Sequence, residues 1–176
     1  MLIERYDLDV FSPPCDPGSE RWSAFARLGQ DISEAMPYLN TLWKNAIYDH
    51  ENHTLTLVRG GRRYTLRPFE IAISNLEDRD EAQRVADRVI GEVNRTWDRR
   101  HEIVPNYDKR RQPTVMEIYK ILPGGNCRQC GEATCFIFAA KLIAGQTVLD
   151  RCVRLFEAEF AGQRNRLEQM LGIAVE

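Results

Sequence analysis

The chain has 176 residues, of which 43% are hydrophobic and 28% charged, with a formal net charge of −2. Such a chain can bury a core, so disorder is not expected, and its charge balance lacks the basic excess of a dedicated nucleic-acid binder. No stretch reaches the length of a membrane span, since the longest apolar run, Cys135 to Ile143, is short and carries Lys141. The opening Met1–Asp7 has neither a basic nor an apolar leader segment, so a cytoplasmic protein is expected.

Taken in chain order, the first stretch runs into Phe11-Ser12-Pro13-Pro14-Cys15-Asp16-Pro17-Gly18, a segment that cannot continue a helix or an internal strand. Ser19 or Glu20 then opens a helix through Ala35, with Trp22, Phe25, Ala26, Leu28, Ile32 and Ala35 at roughly helical spacing, and Pro37 ends it. From Ala46 to Leu66 the pattern turns to period two, in the pairs Ala46/Tyr48, Leu55/Leu57 and Tyr64/Leu66. The turns between them, Asp49–Asn52 and Arg59–Arg62, the latter with Gly60-Gly61, predict a small antiparallel meander. Ile71-Ala72-Ile73 is a candidate for one more strand.

Asp78 and Glu81 have the spacing of a helix start. The stripe Ala82, Val85, Ala86, Val89, Ile90, Val93 and Trp97 follows and predicts a long amphipathic helix. Pro105 to Pro113 has the composition of a polar linker, and its basic run Lys109-Arg110-Arg111 suits a solvated face better than an anion site. Thr114 starts a short helix over Val115–Ile121, and a further helix is expected after Cys135, ending near Gly145. A last one is expected from Cys152 to Leu171, with Val153, Phe156, Phe160, Leu167 and Met170 on one side. Together these predict an α+β fold: helices around a small antiparallel sheet in residues 1–112, then a helical domain in residues 113–176.

The sharpest chemical signal is Cys127, Cys130, Cys135 and Cys152, spaced C-x2-C-x4-C-x16-C. Four thiolates that converge suit an iron–sulfur cubane or a structural zinc. Zinc sites more often present two short-spaced pairs, whereas only Cys127 and Cys130 form one here, and His50, His53 and His101 lie far off. Both metals remain candidates on spacing alone, with the cubane favoured. Gly124, Gly125 and Gly131 permit close backbone approach, and Phe136, Ile137 and Phe138 can limit solvent at such a site. Arg128, Lys141, Arg151 and Arg154 fall near it in sequence and would steady an anionic cluster. The fifth cysteine, Cys15, reads as a free thiol, and the H-x2-H of His50 and His53 as a polar strand connection. Trp22, Trp43 and Trp97 read as core residues. There is no dinucleotide fingerprint, P-loop or nucleophile elbow, so a non-catalytic carrier is favoured over an enzyme.

The stretch Leu122-Pro123-Gly124-Gly125-Asn126-Cys127-x-x-Cys130-Gly131-x-x-x-Cys135-x-x-Phe138-Ala139, with Gly145 and Cys152, resembles a four-cysteine [4Fe-4S] domain. That domain occurs in the large subunit of the corrinoid iron–sulfur protein and the B subunit of Rnf complexes. The resemblance spans about residues 116 to 153. It implies that Cys127, Cys130, Cys135 and Cys152 hold one low-potential [4Fe-4S] cluster. Two positions depart from it: Arg128 where the family usually has Gly, and Val153 where it often has Pro. The whole chain also resembles iron–sulfur-binding proteins of anaerobic bacteria, through its Phe-Ser-Pro-Pro, Arg-Trp-Ser-Ala and Pro-Phe-Glu-Ile-Ala-Ile-Ser-Asn segments at Phe11, Arg21 and Pro68.

These readings lead to an expected function of one-electron transfer, as a reductant or reductive activator of a redox partner protein such as a corrinoid or other low-potential metalloenzyme. The alternatives are a structural or assembly protein whose C-terminal module is stabilised by metal, and a sensor that signals by losing its cluster. No nucleic-acid partner is expected.

Overall fold

A computed structural model describes residues 1–12 and 21–172. It divides the chain into two compact units, Met1–Leu57 with Arg62–Arg110, and Val58–Gly61 with Arg111–Glu176. The fold is α+β, as expected from the sequence, and each unit has its own hydrophobic core.

The first unit is built on a six-stranded antiparallel sheet in the order β1-β2-β6-β5-β4-β3. Its strands are β1 (Tyr6–Phe11), β2 (Trp22–Leu28), β3 (Ile47–Asp49), β4 (Thr54–Arg59), β5 (Arg62–Arg67) and β6 (Glu70–Leu76). Register places Leu8 opposite Ala26, Ala26 opposite Ile71, and Ile71 opposite Leu66. Successive side chains of a strand point to opposite faces, so one row of the sheet gathers Ala24, Ala26, Ile71, Ile73, Tyr64 and Leu66, all buried. The long helix α2 (Arg79–Asp98) contributes Ala82, Val85, Ala86, Val89, Ile90 and Val93 to the same core. Asp78 caps it as expected, its Oδ1 accepting from Glu81 N at 2.6 Å while Glu81 Oε2 accepts from Glu77 N at 2.7 Å.

Three expectations for this unit are corrected. The helix read through Ala35 is strand β2 followed by a 3₁₀ turn at Ser33–Ala35; Ser19 and Glu20 lie outside the described residues. β2 pairs on both edges and uses both faces, because Phe25 stacks on Phe11 with ring centroids 5.0 Å apart. Apolar residues on both faces erase the alternation by which strands are recognised. Pro37 begins rather than ends a helix: it lies in the first turn of α1 (Met36–Leu42), where its missing N–H is no loss.

The third correction concerns the polar linker. Asn40, fully buried on α1, donates from Nδ2 to the carbonyls of Asn106 (2.8 Å) and Asp108 (3.0 Å). Its Oδ1 accepts from Arg110 Nη1 at 2.5 Å. Lys109 pairs with Asp49 at 2.6 Å and Arg111 with Glu117 at 2.8 Å. Lys109 and Arg111 stay exposed, as read, but each cation of the run has an intramolecular partner, and the segment is fastened rather than free.

The second unit contains α3 (Val115–Ile121), α4 (Cys135–Ala144) and α5 (Ala161–Leu171). Thr114 and Glu117 form a capping box on α3, whose hydrogen bonds, first of all that from the Thr114 amide, hold the Glu117 carboxyl below its ordinary pKa. Ile118, Ile121, Leu122, Phe138, Ala139, Leu142, Leu149, Cys152, Leu155 and Leu167 form the core. The expected helix from Cys152 starts only at Ala161; Val153–Phe156 and Ala158–Phe160 are 3₁₀ turns. Glu157 between them is extended. The turns bury Leu155 and leave Val153 and Phe156 exposed, so of the apolar stripe read there only Phe160, Leu167 and Met170 face the core.

Candidate metal centre

After α3 the chain passes through Pro123 into a loop that curls the unusual way. Gly124, Gly125, Asn126, Arg128 and Gly131 all have positive φ, between 47° and 87°. A backbone turning repeatedly through the left-handed region wraps a small volume instead of extending. The amide of Gly131 closes the turn on the carbonyl of Arg128 at 2.9 Å.

Cys127 is exposed on this loop and Cys130 is half-buried. Cys135 opens α4, whose start is held twice. Thr134 Oγ1 accepts from Ile137 N at 3.2 Å, and Asn126 Oδ1 accepts from the amide of Cys135 itself at 2.8 Å. The second bond ties the loop that carries Cys127 to the helix that carries Cys135. At the far end Gly145, with φ 73°, ends α4 in the left-handed conformation. The chain then returns through a 3₁₀ turn at Leu149–Arg151 to bring back Cys152.

All four cysteines are free thiols, and all four line one cavity together with Leu122, Pro123, Gly124, Phe138 and Arg154. Cys152 is the buried one. Burial pushes its thiol pKa up, the Leu155 amide opposes this, and the other three cysteines add to the rise. A metal taken up here must displace that proton. Among the described residues no three His, Cys, Asp or Glu side chains are grouped so as to hold a metal ion directly. The sulfurs ring a cavity, and a cluster draws its thiolates to different corners of a cage.

The remaining sequence candidates sort clearly. Phe138 is buried in the cavity wall, but Phe136 and Ile137 are 45% and 39% exposed; consecutive helical residues are a hundred degrees apart, so the three cannot share a face. Phe136 instead meets Tyr119 edge to face at 5.7 Å. Of the cations, Arg128 and Arg154 line the cavity and Arg151 does not. Lys141 is paired with Glu132 at 2.9 Å. His50 and His53 meet edge to face at 5.8 Å in their turn, with Tyr48 Oη 3.0 Å from His50 Nδ1. Trp43 is buried, and Trp22 and Trp97 pack against the first core. Cys15 lies outside the described residues. Asn126 was not singled out from sequence; Thr134 could have been, as a hydroxyl directly before an apolar helix.

Arg128 sits at φ 62°, where a side chain is strained by about 1 kcal/mol or more. Arg128→Gly is therefore expected to stabilise the second unit by about 1 kcal/mol, read as a higher denaturation midpoint, while Arg128→Val destabilises it.

Residues 122–154 match the protein family described as "Putative Fe-S cluster". The gamma subunit of the acetyl-CoA decarbonylase/synthase complex of Methanothermobacter thermautotrophicus is 43% identical over 65 residues, 37% of this chain and 13% of that protein. The corresponding subunit of Methanosarcina acetivorans is 44% identical over 57 residues, 32% of this chain and 12% of its own. The corrinoid/iron-sulfur protein large subunit of Moorella thermoacetica is 47% identical over 45 residues, 26% and 10%. The chain thus spans at most 13% of the length of these relatives. No solved structure matches it. Among the described residues no helix is long and apolar enough to cross a membrane. The loop, helix and returning turn that bring the four thiols to one cavity are thus the segment, residues 122–154, that matches this iron–sulfur family.

Proposed function

We propose that Cys127, Cys130, Cys135 and Cys152 hold one [4Fe-4S] cluster, and that the protein passes single electrons to a partner metalloenzyme. Four free thiols lining one cavity carry this reading. A cluster bound there supplies one-electron acceptance and release with no bond made or broken. The chain's own residues set the conditions: Phe138 keeps solvent from one wall, the left-handed loop curls around the cavity, and Asn126 fixes the Cys135 end of it. Residues 113–176 act as the cluster-binding domain. The relatives with this segment are named as corrinoid/iron-sulfur and acetyl-CoA decarbonylase/synthase subunits, which supports a low-potential corrinoid protein as the partner and reductive activation as the task. A cytoplasmic, anaerobic setting fits that role.

Anaerobically purified protein is expected to be brown and to contain about four irons and four sulfides per chain. It should bleach on dithionite addition and give the EPR signal of a reduced cubane. Colourless protein with stoichiometric zinc would refute this in favour of a structural role. A cluster that cannot be reduced reversibly, yet whose loss alters partner binding, would identify a sensor.

A further inference from the structure

The four cations that fall near the cysteines in sequence are not equivalent in space. Lys141 is neutralised by Glu132, whose own side chain forms part of the cavity wall. Arg151 is exposed and outside the cavity lining, and Arg128 lines the cavity but is exposed. Solvent and salt screen an exposed charge strongly. Arg154 differs on each count. It is half-buried, lines the cavity, and follows the buried Cys152 by two residues. No carboxylate pairs with it among the described residues. Its Nη1 donates to the carbonyl of Gly124 at 3.3 Å, and its guanidinium lies over the Phe160 ring at 5.2 Å.

The fit is close. A Cβ placed on Gly125, which has φ 80°, would stand 3.0 Å from the same Nη1. The loop approaches the guanidinium as nearly as a bare backbone allows. Arg154 is thus held from both ends, by Phe160 on one side and the Gly124–Gly125 turn on the other, with its charge kept at the cavity.

We propose that Arg154 is a positioning residue that sets the reduction potential of this site, favouring the reduced form. The inference rests on the cluster-binding role proposed above. Adding one electron to a four-thiolate site makes its charge more negative by one and breaks no bond, so a fixed cation nearby stabilises the reduced state more than the oxidised one. A weakly screened cation has the larger effect.

The test is an EPR-monitored redox titration of anaerobically loaded full-length protein, as wild type, Arg154→Gln and Arg154→Lys. Reversible reduction of the wild type is read first; its failure refutes the electron-transfer role itself, before any variant is considered. Given a reducible wild type, the glutamine variant is expected to titrate at a more negative potential with unchanged iron content, and the lysine variant near wild type. Equal potentials in all three overturn the proposal. So does a lysine variant shifted as far as the glutamine one, because lost packing would then be the cause. Should the glutamine variant fail to load iron, the lysine variant decides. Loading at the wild-type potential supports the charge, whereas a shifted potential or failure to load overturns it in favour of a purely structural clamp.

Discussion

Cys135→Ser is expected to lower the iron content of the protein sharply and to loosen the second unit while the first stays folded, and Cys130→Ser to do the same. Metal binding and folding are coupled wherever the ligands are part of the core, and three of the four proposed ligands are. Cys152 belongs to the second core, and Cys130 and Cys135 pack against it. That core is small, assembled from short helices and turns rather than from a sheet, so a cofactor that joins its walls contributes a large share of its stability. Serine keeps the size of the side chain but is a poor ligand for iron. Hydrogen exchange should show faster amide exchange across residues 115–155 and little change in β2, β6 and α2, which close over a separate core. Cys15→Ser is the control: iron content should not change, and a proportional fall would mean that Cys15 is a ligand. Uniform loss of protection in both units would show that they do not fold separately.

Asn40→Ala is expected to destabilise the first unit by about 3 kcal/mol. The side chain is fully buried and makes three hydrogen bonds, to the carbonyls of Asn106 and Asp108 and from Arg110. Truncation leaves two part-buried carbonyls without their donor and deprives a guanidinium of its shortest contact. The other contacts of Arg110, to the carbonyls of Trp43 and Ala46, are both 3.3 Å. An unpaired buried group costs more than the bond itself returned. Guanidinium denaturation followed by tryptophan fluorescence reads the loss, since Trp43 lies in the same corner. Asn40→Asp keeps an acceptor for Arg110 but replaces the donating Nδ2 group with a negative oxygen that faces two carbonyl oxygens, so it should be no better than alanine. A change under about 0.5 kcal/mol in either variant would show that residues 104–110 are not held by this side chain.

How much of this was legible in the sequence depended on how local the signal was. Helix α2 was readable because its cap and its stripe lie in one stretch, from Asp78 to Val93. Strands β3 to β5 alternate cleanly, and Gly60-Gly61 marks the hairpin between β4 and β5. Strand β2 was not, because its environment comes from β1 and β6, neighbours fixed only by the tertiary fold. The same holds for Asn40, an unremarkable polar residue until Asn106, Asp108 and Arg110 arrive some seventy positions later. At the thiol site the ligand types and spacing were visible. The left-handed conformation of Arg128, the grip of Asn126 on α4 and the choice of Arg154 among four nearby cations were not, since each depends on where the loop closes.

The bond from Asn126 to the first amide of α4 gears a loop to a rod. A shift of one pulls on the other, which would limit how far these two walls yield to an arriving charge. In the proposed electron carrier, little nuclear rearrangement would then accompany each hop, and the polypeptide would speed exchange by staying still.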